Sequence, residues 1–325
     1  MSDSIELHRI SKTFIERSWR SVLYRSIPKR TEALKDITLT IKKGEIFGFL
    51  GPNGAGKTTL IKILATLILP DGGTGKILGY DLIRQSQHIR RIIGLVNMSE
   101  RSFYWRLTGR QNLNFFAALH NLTGKQKGKR VQTLLELVNL EEKAEIQFMK
   151  YSSGQKQCLA LARALLSNPE ILLMDEPMQN LDPIASSTFL KMAVDVLQGK
   201  EGKTILWCTH NLREAEEVCS RIAIIHRGAV IESGDLAYMC SLINTESFYE
   251  FTIDHCPETT LQEIGITPLR ILHNNGSLDF ELQLRSNDVP SLVRQLVENG
   301  LNVRSCRAKA INLDEVFEKI INRAH

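Results

Sequence analysis

The apolar run EIFGFL, residues 45–50, leads directly into GPNGAGKTTLIKILATL. The junction satisfies G-x-x-x-x-G-K-[ST] over Gly51 to Thr58, between a buried strand and a helix, as the motif requires. No other stretch constrains the fold as much, because strand, glycine loop and helix must follow in that order for the loop to work. Gly51, Gly54 and Gly56 let the backbone turn sharply and aim its N–H groups inward, so that an oligophosphate sits at the positive end of the helix. Pro52, Asn53 and Ala55 complete the loop, and Thr59 follows it. Lys57 is placed to neutralise the β/γ oxygens, and Thr58 to offer a hydroxyl to Mg²⁺.

A phosphate loop needs carboxylates at the end of a neighbouring strand, and EILLMDEP at 170–177 provides them. Ile171 to Met174 read as a strand buried on both faces of a parallel sheet. Asp175 at its polar end can hold the water shell of Mg²⁺, and Glu176 is positioned to orient an attacking water as general base. A third strand, TILWCT at 204–209, ends in His210, where doubly wound sheets put their ligands. The helix that follows has Asn211 and Glu214 at capping-box spacing.

YSSGQKQ at 151–157 opens an Ala/Leu-rich helix expected over 154–166. Ser152 and Gln155 can form a capping box, leaving Ser153 and the bare Gly154 amide at a helix N-terminus suited to an anion. Spacing alone does not say whose phosphate that would be.

At 325 residues the chain is long enough for two domains. No apolar run approaches the ~18 residues needed to cross a bilayer, and the start MSDSIELHR has no signal-peptide core, so a cytosolic protein is expected. Six scattered cysteines show neither CxxC nor zinc spacing and read as reduced, packed thiols. The net charge of +5 is uneven: residues 1–240 are basic and the remainder acidic. A basic larger part suits nucleotides, acidic surfaces or anionic lipid, without choosing among them.

The order GPNGAGKTT, YSSGQ, ILLMDEP, NLDP, CTH resembles the ATP-binding subunit of ABC transporters over roughly the first 240 residues. The resemblance implies an α/β fold of the P-loop NTPase type, with a mainly parallel central sheet, an antiparallel β subdomain and a helical subdomain at about 95–168. It further implies a head-to-tail dimer that sandwiches two ATP molecules, so that Ser152, Ser153, Gly154 and Gln155 cover the nucleotide held by the partner. Asn180, Leu181 and Asp182 would run along the dimer seam. The family's adenine-stacking aromatic would be Phe14, with Trp19 and Tyr24 as competitors. Where the family has a Mg²⁺-sensing glutamine, alignment on Leu107 and Thr108 places Ser99, which reaches less far. Tyr151 and Ser153 also depart from the family's signature.

The insertion ERSWRSVLYRSIPKR, 16–30, is basic and bears aromatics, and it reads either as a docking element for anionic lipid or a membrane protein, or as a solvated loop. From about 244 the pattern changes. Alternation at Tyr249, Phe251, Ile253 and at Leu278 to Leu284 marks strands, with a turn at Asn274 to Gly276. Helices are expected at Val289 to Val297, stopped by Gly300, and at Leu313 to Ile321. The order β-α-β-β-α-β-α gives a small α+β ferredoxin-like C-terminal domain over 244–325, with a regulatory or contact role. This tail resembles the extension of daunorubicin-resistance-type ATPases, which favours export.

The reading that follows is an ATPase using ATP and Mg²⁺, peripheral on the cytoplasmic face of the cell membrane, working with a separate permease and a second copy of itself. No nucleic acid is expected as a partner. Two alternatives stay open on the sequence: a soluble ABC-type ATPase acting on nucleic acid or the ribosome, and a degenerate cassette that binds ATP only to regulate.

Overall fold

A computed structural model describes residues 3–16, 29–97, 103–241, 247–254, 258–274, 277–284 and 288–308. The chain divides into two compact units, Met1–Gly234 and Asp235–His325. Of the expected features, Trp19, Tyr24, Ser99, the central part of the 16–30 insertion and the last helix lie outside the described residues.

The first unit opens with two long strands, β1 (Asp3–Glu16) and β2 (Lys29–Lys42), paired antiparallel. The fully buried β3 (Ile46–Leu50) follows and leads into the glycine loop and the helix Lys57–Leu64. β4 (Gly72–Ile77) and β5 (Tyr80–Asp81) return to β1, giving an antiparallel sheet in the order β2-β1-β4-β5. Ile5, Leu7, Ile37 and Leu39 of this sheet share one core with Phe47 and Phe49 of β3 and with Leu60, Ile61 and Leu64 of the helix. The loop helix is thereby fixed by burial at its C-terminal part, while its first turn stays at the site.

The central sheet has the order β10-β9-β3-β8-β7-β6, with β6 (Ile93–Asn97), β7 (Ile171–Asp175), β8 (Thr204–Thr209), β9 (Arg221–His226) and β10 (Ala229–Asp235). Strands β6, β7, β8, β3 and β9 pair in parallel. The runs read as doubly buried are so because the sheet is covered on both faces; β8 is buried along its whole length. Parallel pairing puts the ends of β3, β7 and β8 on one edge. Leu50 pairs with Thr209, and Asp175 with Cys208, so three separate polar chain segments arrive together.

Between β6 and β7 lie the helices Gly109–Leu119, Gly124–Leu137 and Ser153–Ala164. Phe103 stacks on Phe148 at 4.6 Å and meets Phe116 edge-on at 5.7 Å, forming the aromatic centre of this part.

The second unit carries β11 (Ser247–Asp254), β12 (Arg270–Asn274), β13 (Ser277–Leu284) and β14 (Val303–Ala308) in the antiparallel order β12-β13-β11-β14. Helices Glu258–Glu263 and Val289–Glu298 connect them in the β-α-β-β-α-β order of a split β-α-β module. Its core is Phe251, Ile253, Leu278, Phe280 and Leu296, with Phe251 and Phe280 directly opposite in register and stacked at 5.3 Å. Gly300 follows the second helix with φ +79°, the left-handed stop its position leads one to expect.

Candidate active site

The glycine loop is held by steric necessity at both ends. A Cβ on Gly51 would stand 2.3 Å from the Ile225 carbonyl oxygen, and Gly56 combines φ +117° with a Cβ position 2.5 Å from the Ala33 oxygen. No side chain fits at either place. The loop is also tied to the next strand, since the Gly51 amide donates to the Thr209 carbonyl at 3.3 Å.

Lys57 opens the helix and is 5 % exposed. Its ammonium donates to the carbonyls of Gly51 at 2.6 Å and Pro52 at 3.3 Å, and lies 3.1 Å from Glu176 Oε1. The Thr58 hydroxyl donates to Asp175 Oδ2 at 2.9 Å. The remaining oxygen, Asp175 Oδ1, is buried without a hydrogen-bond partner among the described residues. Burial raises the Asp175 pKa, opposed by the Thr58 hydrogen bond. Hydroxyl and half-satisfied carboxylate together form a hard-oxygen donor pair that fits Mg²⁺.

Glu176 is the strained residue of the site, with φ +49° in a non-glycine side chain. Its amide continues the sheet ladder to the Cys208 carbonyl at 2.9 Å. The twist turns its carboxylate toward Lys57 on one side and His210 on the other, where Oε2 lies 2.7 Å from Nδ1. His210 itself is exposed, as a group that meets a ligand must be.

The capping box expected at Asn211 is corrected. Asn211 does cap the helix Leu212–Val218, accepting from the Arg213 amide at 3.0 Å. Glu214, however, accepts the Thr209 hydroxyl at 2.9 Å, and it is the Thr209 oxygen that accepts the Asn211 amide at 3.0 Å. Burial raises the Glu214 pKa, opposed by the hydrogen bond from Thr209 at the end of β8.

An open cleft of about 640 Å³ is lined by Asn53, Gly54, Gly56, Lys57, Thr58, Thr59, Asp175 and Glu176. Thr31, Glu32, Ala33, Lys62, Asn97 and Gln179 complete it. Asn97 was missed by sequence reasoning, although it carries the same signal as Asp175 and His210: a polar residue ending an apolar strand. Phe14 is not in the lining. It is 40 % exposed and pairs in register with Thr31, which is.

Ser152, Ser153, Gly154 and Gln155 do not line this cleft. The capping box is formed as expected: Ser152 Oγ accepts from the Gln155 amide at 3.3 Å, and Gln155 Oε1 from the Ser152 amide at 3.0 Å. Ser152 and Ser153 are exposed. Gly154 differs from expectation, for it is buried, and a Cβ there would stand 2.8 Å from the Ala185 Cβ. Its lack of a side chain is required by the close approach of helix Pro183–Lys191 in the same chain. In the preceding loop Asn180 adopts φ +63°, which asparagine tolerates, and Asp182 caps that helix by accepting from the amides of Ile184 at 3.0 Å and Ala185 at 2.9 Å.

Residues 34–179 match the family model described as ABC transporter. The linearmycin resistance ATP-binding protein LnrL of Bacillus subtilis (strain 168) is 30 % identical over 89 % of this chain and 94 % of that protein. The daunorubicin resistance ATP-binding protein DrrA3 of Streptomyces coeruleorubidus is 30 % identical over 88 % of this chain and 90 % of its own length, in line with the resemblance drawn from the C-terminal tail. Among solved structures, the dimeric ATP-binding cassette MJ0796 bound to ADP and Pi superposes with a TM-score of 0.62 at 28 % identity, covering 71 % of this chain and 98 % of that one. With the phosphate loop, the carboxylate pair and His210 gathered on one sheet edge, these similarities establish that the chain belongs to the ABC transporter family, as one of its ATP-binding and ATP-hydrolysing subunits.

Proposed function

We propose that this chain drives export through a separate membrane permease by closing on a second copy of itself around ATP. The observation that carries the reading is Glu176, which lines the cleft with Lys57 and reaches His210 outside the lining, while the Ser152 turn has, among the described residues, no such contact with a residue of the lining. A site that holds the nucleotide but does not include its own signature turn is suited to completion by another copy. Ile184, 81 % exposed beside Leu181 and Asp182, supplies the apolar knob that such a seam would cover.

In this reading the loop amides and Lys57 hold the β/γ phosphates. Thr58 and Asp175 hold Mg²⁺, which neutralises charge on the phosphate oxygens when bound. Glu176 accepts the proton of the attacking water, and His210 keeps the carboxylate aimed and stabilises charge on the transferring phosphoryl group. Ser153 of the second copy closes the site and excludes bulk water.

The resistance for which the LnrL and DrrA3 relatives are named supports export over import. No helix of the described residues is long and apolar enough to cross a membrane, which supports a peripheral position on the cytoplasmic face, beside a permease that spans it. Purified full-length chain should hydrolyse ATP with Mg²⁺ and co-purify from membranes with an integral membrane protein that stimulates turnover. Turnover stimulated instead by nucleic acid, or nucleotide binding with no turnover under either condition, would overturn the proposal.

A further inference from the structure

We infer that Arg163 is a positioning residue that ties the wall of the nucleotide cleft to the signature helix through Asn97. Asn97 ends β6, pairs in register with Asp175 and lines the cleft beside Lys57, Thr58 and Glu176. Arg163 lies in the last turn of helix Ser153–Ala164, and its Nη2 donates to Asn97 Oδ1 at 3.4 Å. The guanidinium sits over two rings, 4.5 Å from the centroid of Phe103 and 5.2 Å from that of Phe116. Burial lowers its pKa to about 10, so it remains charged at neutral pH.

Stability alone is a poor reason for a cation at this place. An apolar side chain of similar volume would fill an aromatic pocket at lower desolvation cost. What arginine adds is a planar group that stacks on both rings while keeping an N–H for the asparagine at its edge. The consequence follows from the helix it stands on. Ser152 and Arg163 mark the two ends of one continuous helix, about 16 Å apart at 1.5 Å per residue. Its first turn presents Ser153 to the second copy, and its last turn is held to the cleft of its own chain. Arg163 therefore fixes where the turn that serves the other site stands relative to the cleft of its own chain. This coupling rests on the two-copy reading above, and Arg163 touches no reacting atom.

The test uses full-length Asn97→Ala, Arg163→Gln, Arg163→Lys and the Asn97→Ala/Arg163→Gln pair. Fluorescent-nucleotide affinity of the isolated chain, melting temperature, and kcat and KM of ATP turnover are measured for each. Each single variant should lower kcat on the order of tenfold with nucleotide affinity and KM little changed, since a small misplacement is enough for such a loss. Arg163→Lys should recover part of it. The pair should be no worse than the poorer single variant, because both changes cut one linkage. Multiplicative losses in the pair, or Asn97→Ala turning over at the parent rate, would overturn the inference. Should Arg163→Gln fail to fold, Asn97→Ala decides alone, since it leaves the aromatic pocket intact. A parent chain without turnover would instead sink the functional reading.

Discussion

The Glu176 carboxylate is shared between Lys57, 3.1 Å from Oε1, and His210, 2.7 Å from Oε2. One oxygen is thereby directed at the phosphate-binding lysine and the other at the histidine ending β8, an arrangement that holds the side chain in place despite the left-handed backbone at this residue. Replacing Glu176 with Gln preserves shape and leaves an acceptor for Lys57, but removes the base. Expected is a loss of turnover of about 10²–10⁴-fold with ATP binding retained and a closed dimer accumulating in ATP. Phosphate release and size-exclusion chromatography read both. A Glu176→Gln chain that hydrolyses near the parent rate would disqualify Glu176 as the base.

Thr58 and Asp175 provide the second prediction. A Thr58→Val change keeps volume and removes the donor at 2.9 Å from Asp175 Oδ2, leaving a buried carboxylate with both oxygens unpaired. Because the Thr58 hydroxyl is also one of the two oxygen donors for the metal, its loss should raise the Mg²⁺ concentration for half-maximal turnover at least about tenfold. Chelation with EDTA should abolish turnover in the parent chain, and added Mg²⁺ should restore it. Turnover that survives EDTA would show that these two residues hold no required metal.

Gly154 and Ser153 are neighbours with separable roles. A Gly154→Ala methyl would stand 2.8 Å from Ala185 Cβ, and overpacking of this kind costs about 1–3 kcal/mol. For a unit of this size that lowers the melting temperature by roughly 2–4 °C per kcal/mol. Ser153→Ala changes an exposed hydroxyl, so the melt should stay where it is while ATP-dependent dimerisation weakens. Equal melts for Gly154→Ala and the parent would remove the packing account of this glycine.

What the sequence made legible was whatever depends on local order. The strand-loop-helix at 45–64, Asp175, Glu176 and His210 all announce themselves as polar or glycine residues at the ends of apolar runs, and parallel pairing then brings them together. The helix cap at Ser152 was readable for the same reason. Contacts between distant segments were not. Nothing near Gly154 reveals that Ala185 will press on it, and Asn211 and Glu214 have the right spacing for a box but lie on a helix whose inner face gives Glu214 a better donor in Thr209. Asn97 carries the same local signal, a polar residue ending an apolar strand, but its place in the cleft depends on the pairing of β6 with β7.

Tyr151, one of the departures that kept a degenerate cassette open, has a structural explanation. Its hydroxyl donates to the Lys143 carbonyl at 2.7 Å, its ring packs against Phe148 with centroids 6.0 Å apart, and it is 5 % exposed. The space beside it is shaped by Gly109, where a Cβ would stand 2.1 Å from the tyrosine oxygen. The two residues are therefore matched, and Tyr151 anchors the start of the turn that carries Ser152. Tyr151→Phe should cost about 0.5–1.5 kcal/mol, or up to about 3 if the carbonyl is left unpaired, and ATP binding should persist. Gly109→Ala should cost about 1–3 kcal/mol, because the methyl has nowhere to go. Combining them should recover part of the loss, since removing the hydroxyl clears the place the methyl needs, and such coupling is typical of residues in contact. Thermal melts of the four proteins decide it: strictly additive losses would mean that Tyr151 and Gly109 do not share this space.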